Sequence, residues 1–401
     1  MIYRRFGRTE LQMPVLSCGG MRYQHKWQDV PMSEVPPENQ ANLAATIHRS
    51  LELGINHIET ARGYGSSERQ LAEVFRALPK DKWPREKLII QTKVAPTADP
   101  KVFVAEFNDS LARLGLDYVD LLGLHGINTH EQLWSSVRPG GCLAAARELV
   151  AQGKVRHVGF STHASLDVIQ AAIAHQADGG FDYVNLHWYY IFQNNWPAIE
   201  AAARADTGVF IISPADKGGM LYRPSARLSE LCAPLHPLVF NVLFCLQRPE
   251  VHTLSVGASC PKDFDLQYSA LAQMGQVNEL LPPIEKRLRE AMIAAVGPDV
   301  ADHFAEGLPA WQHSPGYMNV PVMIWLRNLA LAYDMVEYGR MRYNLLGNGG
   351  HWFPGLNAAN LDSLVLDGAL DKSPFKQQIP AWLRETHNML GGEPKMRLST
   401  T

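Results

Sequence analysis

Residues Lys154–His187 read KVRHVGFSTHASLDVIQAAIAHQADGGFDYVNLH, and this stretch decides the fold. Val155–Phe160 is a short run with strand composition. Leu166–His175 follows with apolar residues at helical spacing, and Ser165 stands in front of it as an N-cap. Tyr183–Leu186 is a strand again. A strand–helix–strand unit of this kind pairs its strands in parallel through a right-handed crossover.

The same alternation runs outward in both directions. Strands are predicted at Val15–Cys18, Asn56–Glu59, Leu88–Thr92 and Tyr118–Leu124 before the quoted unit, and at Val209–Ile212 and Thr253–Val256 after it. Helices are predicted at Asn42–Leu53, Glu68–Leu78, Val102–Leu114, Cys142–Gln152, Ala198–Ala205, Leu238–Arg248 and Lys262–Gln273. Gly54, Gly115 and Gly153 fall where helix C-caps belong, and Asp99 falls at an N-cap. At the start, Tyr3–Phe6 and Gln12–Val15 flank a turn at Gly7-Arg8-Thr9 and read as a hairpin.

An open doubly wound sheet and a closed barrel share this order. Eight units in about 260 residues is the size of the closed form. There is also no G-x-G-x-x-G, since Gly63-Tyr64-Gly65-Ser66-Ser67-Glu68 lacks the final glycine. The expected class is α/β: a (β/α)8 TIM barrel over residues 1–275 with an N-terminal β-hairpin. After about residue 275 strands cease, and 276–401 reads as a helical C-terminal extension. Its helices are expected at Glu285–Val296, Val322–Tyr338 and Ile379–Leu390, with a Gly- and Asn-rich loop at Gly347–Asn357.

Composition narrows the function classes. Of 401 residues, 46% are hydrophobic and 19% charged, as in globular chains. Lys and Arg number 37 against 40 Asp and Glu, so no electrostatic footprint marks nucleic acid or anionic membrane as a partner. The apolar window Val320–Leu331 is interrupted by Arg327 and falls short of a bilayer span. The N-terminal MIYRRFGRTE has charge where a signal peptide has an apolar run. Five cysteines (Cys18, Cys142, Cys232, Cys245, Cys260) form no CxxC, which fits a reduced, cytoplasmic chain without a disulfide framework.

Barrels of this class place chemistry at the C-terminal strand ends. Those ends carry Glu59, Tyr64, Lys93, His125, Ser161, Thr162, His163, Asn185, His187 and Ser213. Each alone has a bland reading: a tyrosine in a glycine loop packs, a lysine after a strand snorkels, a strand-end histidine is structural. Together, a carboxylate, a phenol, an ammonium and an imidazole on adjacent strands suit one task. A phenol titrates near ~10, and a nearby cation favours its ionised form. The carboxylate holds the lysine charged, and the histidine donates to a substrate oxygen. Such a set protonates a developing alkoxide, with the hydride supplied by a cofactor. A rival is a metal hydrolase on His125, His163 and His187, for which Asp216 is the clear carboxylate.

The strings GINHIETARGYGSSE (Gly54–Glu68), QTKV (Gln91–Val94), LDYVDLLGLH (Leu116–His125), KVRHVGFST (Lys154–Thr162) and LSVGAS (Leu254–Ser259) resemble the aldo-keto reductase superfamily, in its order. The start, YRRFGRTELQMPVLSCGGMRYQ, is similar to the bacterial branch that carries a C-terminal ferredoxin-type extension. The resemblance implies an NAD(P)H-dependent carbonyl reductase acting on small-molecule aldehydes or ketones. It makes Tyr64 the proton donor, with Lys93, His125 and Glu59 as its partners, although the family has Asp at position 59. It assigns cofactor contacts to Met21, Ser161, Asn185, Ser213, Gly257, Ser259, Lys262 and Gln267. Ile212 stands where an aromatic commonly stacks on the nicotinamide, and Asp263 stands near the position of the basic residue that pairs the 2′-phosphate. NADP is the habit of the family, with NAD open here. SPGYMNVP (Ser314–Pro321), RNLALAYDMVEYGRMRYNLL (Arg327–Leu346) and HWFPG (His351–Gly355) resemble the extension, but no cysteine follows Cys260, so no iron–sulfur cluster is expected. The extension is then expected to cap the mouth, where Trp27, Trp188, Tyr189 and Tyr190 line a substrate pocket or serve as filler. A second reading is a nucleotide-binding barrel with little turnover, serving as a redox sensor or assembly subunit.

Overall fold

Strands β3 (Leu16–Gly19), β4 (His57–Glu59), β5 (Ile89–Val94), β6 (Val119–His125), β7 (Val155–Ser161), β8 (Tyr183–Leu186), β9 (Gly208–Ile211) and β10 (Thr253–Val256) follow a hairpin made of β1 (Tyr3–Arg5) and β2 (Gln12–Pro14). In the computed structural model, which describes residues 1–348, 352–366 and 368–396, the eight strands β3–β10 close into a parallel barrel. Closure is made by β10, whose Leu254 pairs with Leu16 of β3 and with Ile211 of β9. This is the (β/α)8 barrel expected from the alternation, with the expected hairpin ahead of it.

Parallel strands are covered on both faces, so they read as nearly continuous buried runs. All six residues of β5 are buried, polar Gln91, Thr92 and Lys93 included. Several of the polar side chains inside pair with one another. Ser17 Oγ lies 2.7 Å from His57 Nδ1 and 2.6 Å from Thr253 Oγ1. His57 Nε2 lies 3.2 Å from Gln91 Oε1, and Gln91 Nε2 donates to Tyr183 Oη at 3.2 Å. Burial lowers the His57 pKa to about 3, so the ring is neutral.

The hairpin closes the N-terminal end of the barrel. Phe6, Leu11 and Met13 cluster with Ile89, Leu121, Tyr183 and Phe210. Phe6 is fully buried, 5.8 Å from the Tyr183 ring and edge-on to His252 at 5.6 Å. Gly208 makes room for it, because a Cβ there would lie 2.6 Å from the Phe6 ring.

The helices follow their local signals with several differences, among them earlier starts at Pro37 for the helix expected at Asn42–Leu53 and at Val277 for the one expected at Glu285–Val296. Asp99 caps Pro100–Leu114 by accepting from Lys101 N at 2.9 Å, and Gly115 ends that helix at φ 63°. Ser165 sits at the N-cap of Leu166–Ala174 but makes no capping bond; its hydroxyl serves the Asp167 carboxylate. The single helix expected at Val322–Tyr338 is two, Val320–Tyr333 and Val336–Tyr343, broken where Asp334 turns left-handed at φ 53°. The helix expected at Lys262–Gln273 is α-helical only over Asp263–Ser269 and 3-10 over Ala270–Gln276. Helices His130–Val137, Ala226–Cys232 and Pro298–His303 were not expected.

Contacts divide the chain into two units. One is Met1–Gly218 with Asn241–Val277, and holds the barrel. The other is Gly219–Phe240 with Asn278–Thr401, so the segment after β9 folds with the C-terminal residues. Within it Ser225 Oγ donates to Tyr333 O at 2.6 Å, and Arg287 Nε donates to Leu231 O at 3.0 Å. Its helices include Val277–Val296, Val320–Tyr333, Val336–Tyr343 and Ile379–Leu390. Buried Arg327 pairs with Glu385 at 2.5 Å. Gly349 and Gly350 of the Gly- and Asn-rich loop, and His351 of HWFPG, lie outside the described residues. Among the described residues no single helix is long and apolar enough to cross a membrane.

Two outcomes follow. Phe6→Ala should lower the unfolding free energy by about 3–5 kcal/mol in a denaturant titration, because the cavity opens beneath a rigid sheet. The second concerns pH. His57 is neutral when folded and takes a proton freely when unfolded, so its contribution is full above pH 6.5 and is lost as pH falls toward 3. His252, lowered to about 4 by burial, acts in the same direction. Stability measured across that window should decline with falling pH, and His57→Gln should make the decline shallower.

Candidate active site

Glu59 ends β4, and the chain beyond it stays on the edge of β5. Thr60 N donates to Gln91 O at 2.8 Å and Arg62 N donates to Lys93 O at 3.0 Å. The chain then turns at Ala61–Tyr64 and enters helix Ser67–Ala77. Gly65 is required in this turn. Its φ is +52°, and a Cβ there would lie 1.9 Å from the Lys26 carbonyl oxygen. The close approach brings Trp27 edge-on to Tyr64, with centroids 6.0 Å apart.

Lys93 is buried beneath this loop. Its ammonium pairs with the Glu59 carboxylate and donates to Thr60 O at 3.0 Å. The longer acid at position 59 therefore reaches the lysine. Burial pushes the Lys93 pKa well below its ordinary value, while the carboxylate pulls the other way. Nζ lies over the face of Tyr64, 4.7 Å from the ring centroid. His125, the last residue of β6, meets the same ring edge-on at 5.7 Å. Tyr64 is half-buried. Burial raises the phenol above its usual value, and the ammonium on its face opposes that rise.

One residue that sequence reasoning passed over makes room for this set. Gly123 stands abreast of Lys93 in the sheet, and a Cβ there would lie 2.9 Å from Lys93 Cγ. A glycine inside the apolar run VDLLGLH is the signal that was available, since such a glycine marks close approach.

The next strands continue the rim. His125 is in register with Ser161, and Ser161 with Asn185. Ser161 Oγ accepts from Gly126 N at 3.0 Å. Asn185 is fully buried, and both its Oδ1 and its Nδ2 lack a hydrogen-bond partner. Beyond it Ser213 is left-handed at φ 54°, and its carbonyl accepts from Lys217 N at 3.0 Å.

The remaining positions expected to hold a cofactor lie near β3 and β10. Met21 is half-buried after β3, and Gly257 is half-buried after β10. Ser259 N and Oγ both donate to one oxygen of Asp263, each at 2.7 Å. Burial pushes the Asp263 pKa up, but these bonds and the charge of Arg22 bring it below the usual range. Lys262 is exposed and Gln267 is buried.

The expected aromatic lining divides. Trp188 is 2% exposed, packed between Trp196 at 5.1 Å and Phe244 at 4.9 Å, so it is core and not pocket wall. Tyr189 is buried too, with its hydroxyl donating to Ile212 O. Trp27 stands against Tyr64. Among the described residues no group of three His, Cys, Asp or Glu side chains is placed to hold a metal. His163 Nδ1 and His187 Nε2 do meet, and Lys217 Nζ lies beside them at 3.5 and 3.4 Å.

The relatives agree with this frame. L-galactose dehydrogenase of Arabidopsis thaliana is 29% identical over 197 residues, 47% of this chain and 56% of its own. L-glyceraldehyde 3-phosphate reductase of Escherichia coli strain K12 is 28% identical over 174 residues, 41% of this chain and 46% of its own. The chain thus spans about half the length of the curated relatives it matches. A solved aldo-keto reductase from Bacillus halodurans superposes with a TM-score of 0.55 at 20% identity, over 71% of this chain and 97% of that one, a likeness that speaks for the fold. The profile of the Aldo/keto reductase family matches residues 15–223, a span that holds Glu59, Tyr64, Lys93, His125, Ser161 and Asn185. By that match over more than half its length, the chain belongs to the aldo/keto reductase family.

Proposed function

We propose that this protein reduces the carbonyl group of a small aldehyde or ketone with a nicotinamide dinucleotide, using Tyr64 as the proton donor. The observation that carries the reading is Asn185, a buried amide with donor and acceptor both unmet. Leaving such groups unpaired costs about 1–3 kcal/mol each. A carboxamide is the group whose own donor and acceptor would satisfy both, and Ser161 stands beside it in register. When bound, a reduced nicotinamide supplies the hydride that no side chain can.

The residues then divide the remaining work. Tyr64 offers its hydroxyl hydrogen to the carbonyl oxygen as negative charge builds there. Lys93, held by Glu59 and the Thr60 carbonyl, supports charge on the phenol oxygen through the ring face it covers. His125, against the edge of the same ring, is placed to donate to the carbonyl oxygen and orient it. The fixed negative charge of Asp263 on the Ser259 turn disfavours a phosphorylated ribose, so within this reading NAD is preferred to NADP despite the habit of the family. The relatives named as a dehydrogenase and a reductase support redox chemistry rather than a barrel with little turnover.

Tyr64→Phe should lower kcat by about 10²–10⁴-fold while nucleotide affinity, read by fluorescence titration, stays nearly unchanged. Wild-type turnover in that variant would remove Tyr64 from the reaction, and absence of NADH and NADPH binding would sink the whole reading. Gly123→Ala should displace Lys93 and cost about 10²-fold in kcat, with the nucleotide dissociation constant little altered.

A further inference from the structure

Segment 20–31 leaves β3 and passes beside the Tyr64 turn, with Trp27 in its middle. Two anchors hold it, one on either side of Trp27. Ahead of Trp27, the amides of His25 and Lys26 donate to Ser66 Oγ at 3.2 and 3.4 Å, and His25 N reaches Gln70 Oε1 at 2.9 Å. Lys26 O accepts from Ser66 N at 3.3 Å. Beyond Trp27 the anchor is the carboxylate of Asp29. Arg69 Nε and Nη2 donate to its two oxygens at 2.8 and 3.0 Å, and Arg113 Nη2 lies 2.9 Å from Oδ2.

A lone exposed ion pair adds little, but a two-pronged arginine contact within a network is stronger. Both conditions are met here. Arg69 grips Asp29 with two nitrogens, and the Arg113 side chain is only 12% exposed. Arg113 Nε also lies 2.8 Å from Asp109, one turn earlier on the helix Pro100–Leu114. Asp109 in turn pairs with Arg62, in the turn that carries Tyr64. One helix is therefore a common mount. Through Asp109 it holds the turn of Tyr64, and through Arg113 it holds the segment of Trp27. The hydrogen bonds from Arg69, with the charge of Arg113, keep the Asp29 carboxyl below its usual range against the effect of part burial.

We infer that Asp29 is a positioning residue, which through Arg69 and Arg113 fixes Trp27 beside Tyr64 as an apolar wall of the substrate site. The inference deepens the carbonyl-reductase reading and rests on it for the place of the substrate, at the Tyr64 hydroxyl. The indole stands at 88° to the phenol with centroids 6.0 Å apart. Unlike Trp188, which is 2% exposed, Trp27 is only half-buried and keeps part of its surface open. A flat apolar group attached to the carbonyl carbon can pack on that surface. The substrate class is a carbonyl compound bearing such a group, of which an aromatic aldehyde is the simplest. Asp29 touches no reacting atom and acts through Trp27.

The test compares benzaldehyde with propanal on the full chain. Asp29→Asn should raise KM for benzaldehyde about three- to tenfold, the worth of one aromatic contact, with kcat within about twofold and KM for propanal little changed. Arg69→Gln removes the other half of the grip and should do the same. Trp27→Ala should raise KM for benzaldehyde as much, and Asp29→Asn added to it should cost nothing further, because the two act as one. Thermal midpoints of the variants show that the barrel is intact. Additive effects of the two substitutions, a loss in kcat alone, or an unchanged KM in Asp29→Asn each overturn the inference. If the wild type reduces neither aldehyde, it is the reductase reading that fails, and fluorine NMR of protein labelled with 5-fluorotryptophan decides the role of Asp29. The Trp27 signal, assigned by its loss in Trp27→Phe, should move in Asp29→Asn and in Arg69→Gln. A Trp27 signal that stays in place overturns the inference.

Discussion

An ammonium ion inside a sheet must be paired or it will not stay charged, and the upper barrel is organised around that constraint at Lys93. The carboxylate of Glu59 on the neighbouring strand neutralises it, and the carbonyl of Thr60 takes a further hydrogen. The side chain needs space to lie along β6, which the missing Cβ of Gly123 provides. Tyr64 covers it from above, and Gly65 lets the loop come down far enough to do so. Replacing any one of these leaves either an unmatched charge or a steric overlap, so the elements constrain one another. The family-typical aspartate is shorter by a methylene, yet the longer acid here still closes the pair, because β4 ends at that residue and the chain beyond is tied to β5.

Most of the barrel was legible because each strand–helix unit carries its own period and its own punctuation. The strand positions agree to within a residue or two, and the misses have local causes. β5 was expected to stop at Thr92, since a following lysine reads as solvent; it continues through Lys93 because the charge is paired. His130–Val137 was invisible because its sequence, HEQLWSSV, is largely polar and buries only Leu133 and Ser136. The break at Asp334 carries neither glycine nor proline to announce it.

The site was legible in residue type and less so in arrangement. Strand ends nominate Glu59, Tyr64, Lys93 and His125, and the barrel brings all four together. What no linear pattern conveys is partnership. Asp263 reads as the loss of a basic residue, whereas in the fold it takes both donors of Ser259. No sequence pattern singles out Lys217, and the return of the loop after β9 brings it to two histidines. Trp188 reads equally as pocket lining or as filler and is core, because Trp196 and Phe244 close on it from either side.

The excursion of Gly219–Phe240 into the second unit has a consequence for synthesis on the ribosome. The barrel has all its strands once β10 and the residues to Val277 have emerged. The segment looped out between β9 and β10 then still lacks its partners, since Arg287, which binds the Leu231 carbonyl, and Tyr333, whose carbonyl accepts from Ser225, have yet to be made. At translation rates of about 5–20 residues per second, apolar Leu228, Leu231 and Leu235 wait on the order of ten seconds before they can be buried. During that interval the nascent chain carries a finished barrel with a sticky loop, a natural client for a holding chaperone. For the same reason the C-terminal unit is not a detachable module, because one of its two segments is encoded within the barrel's own sequence.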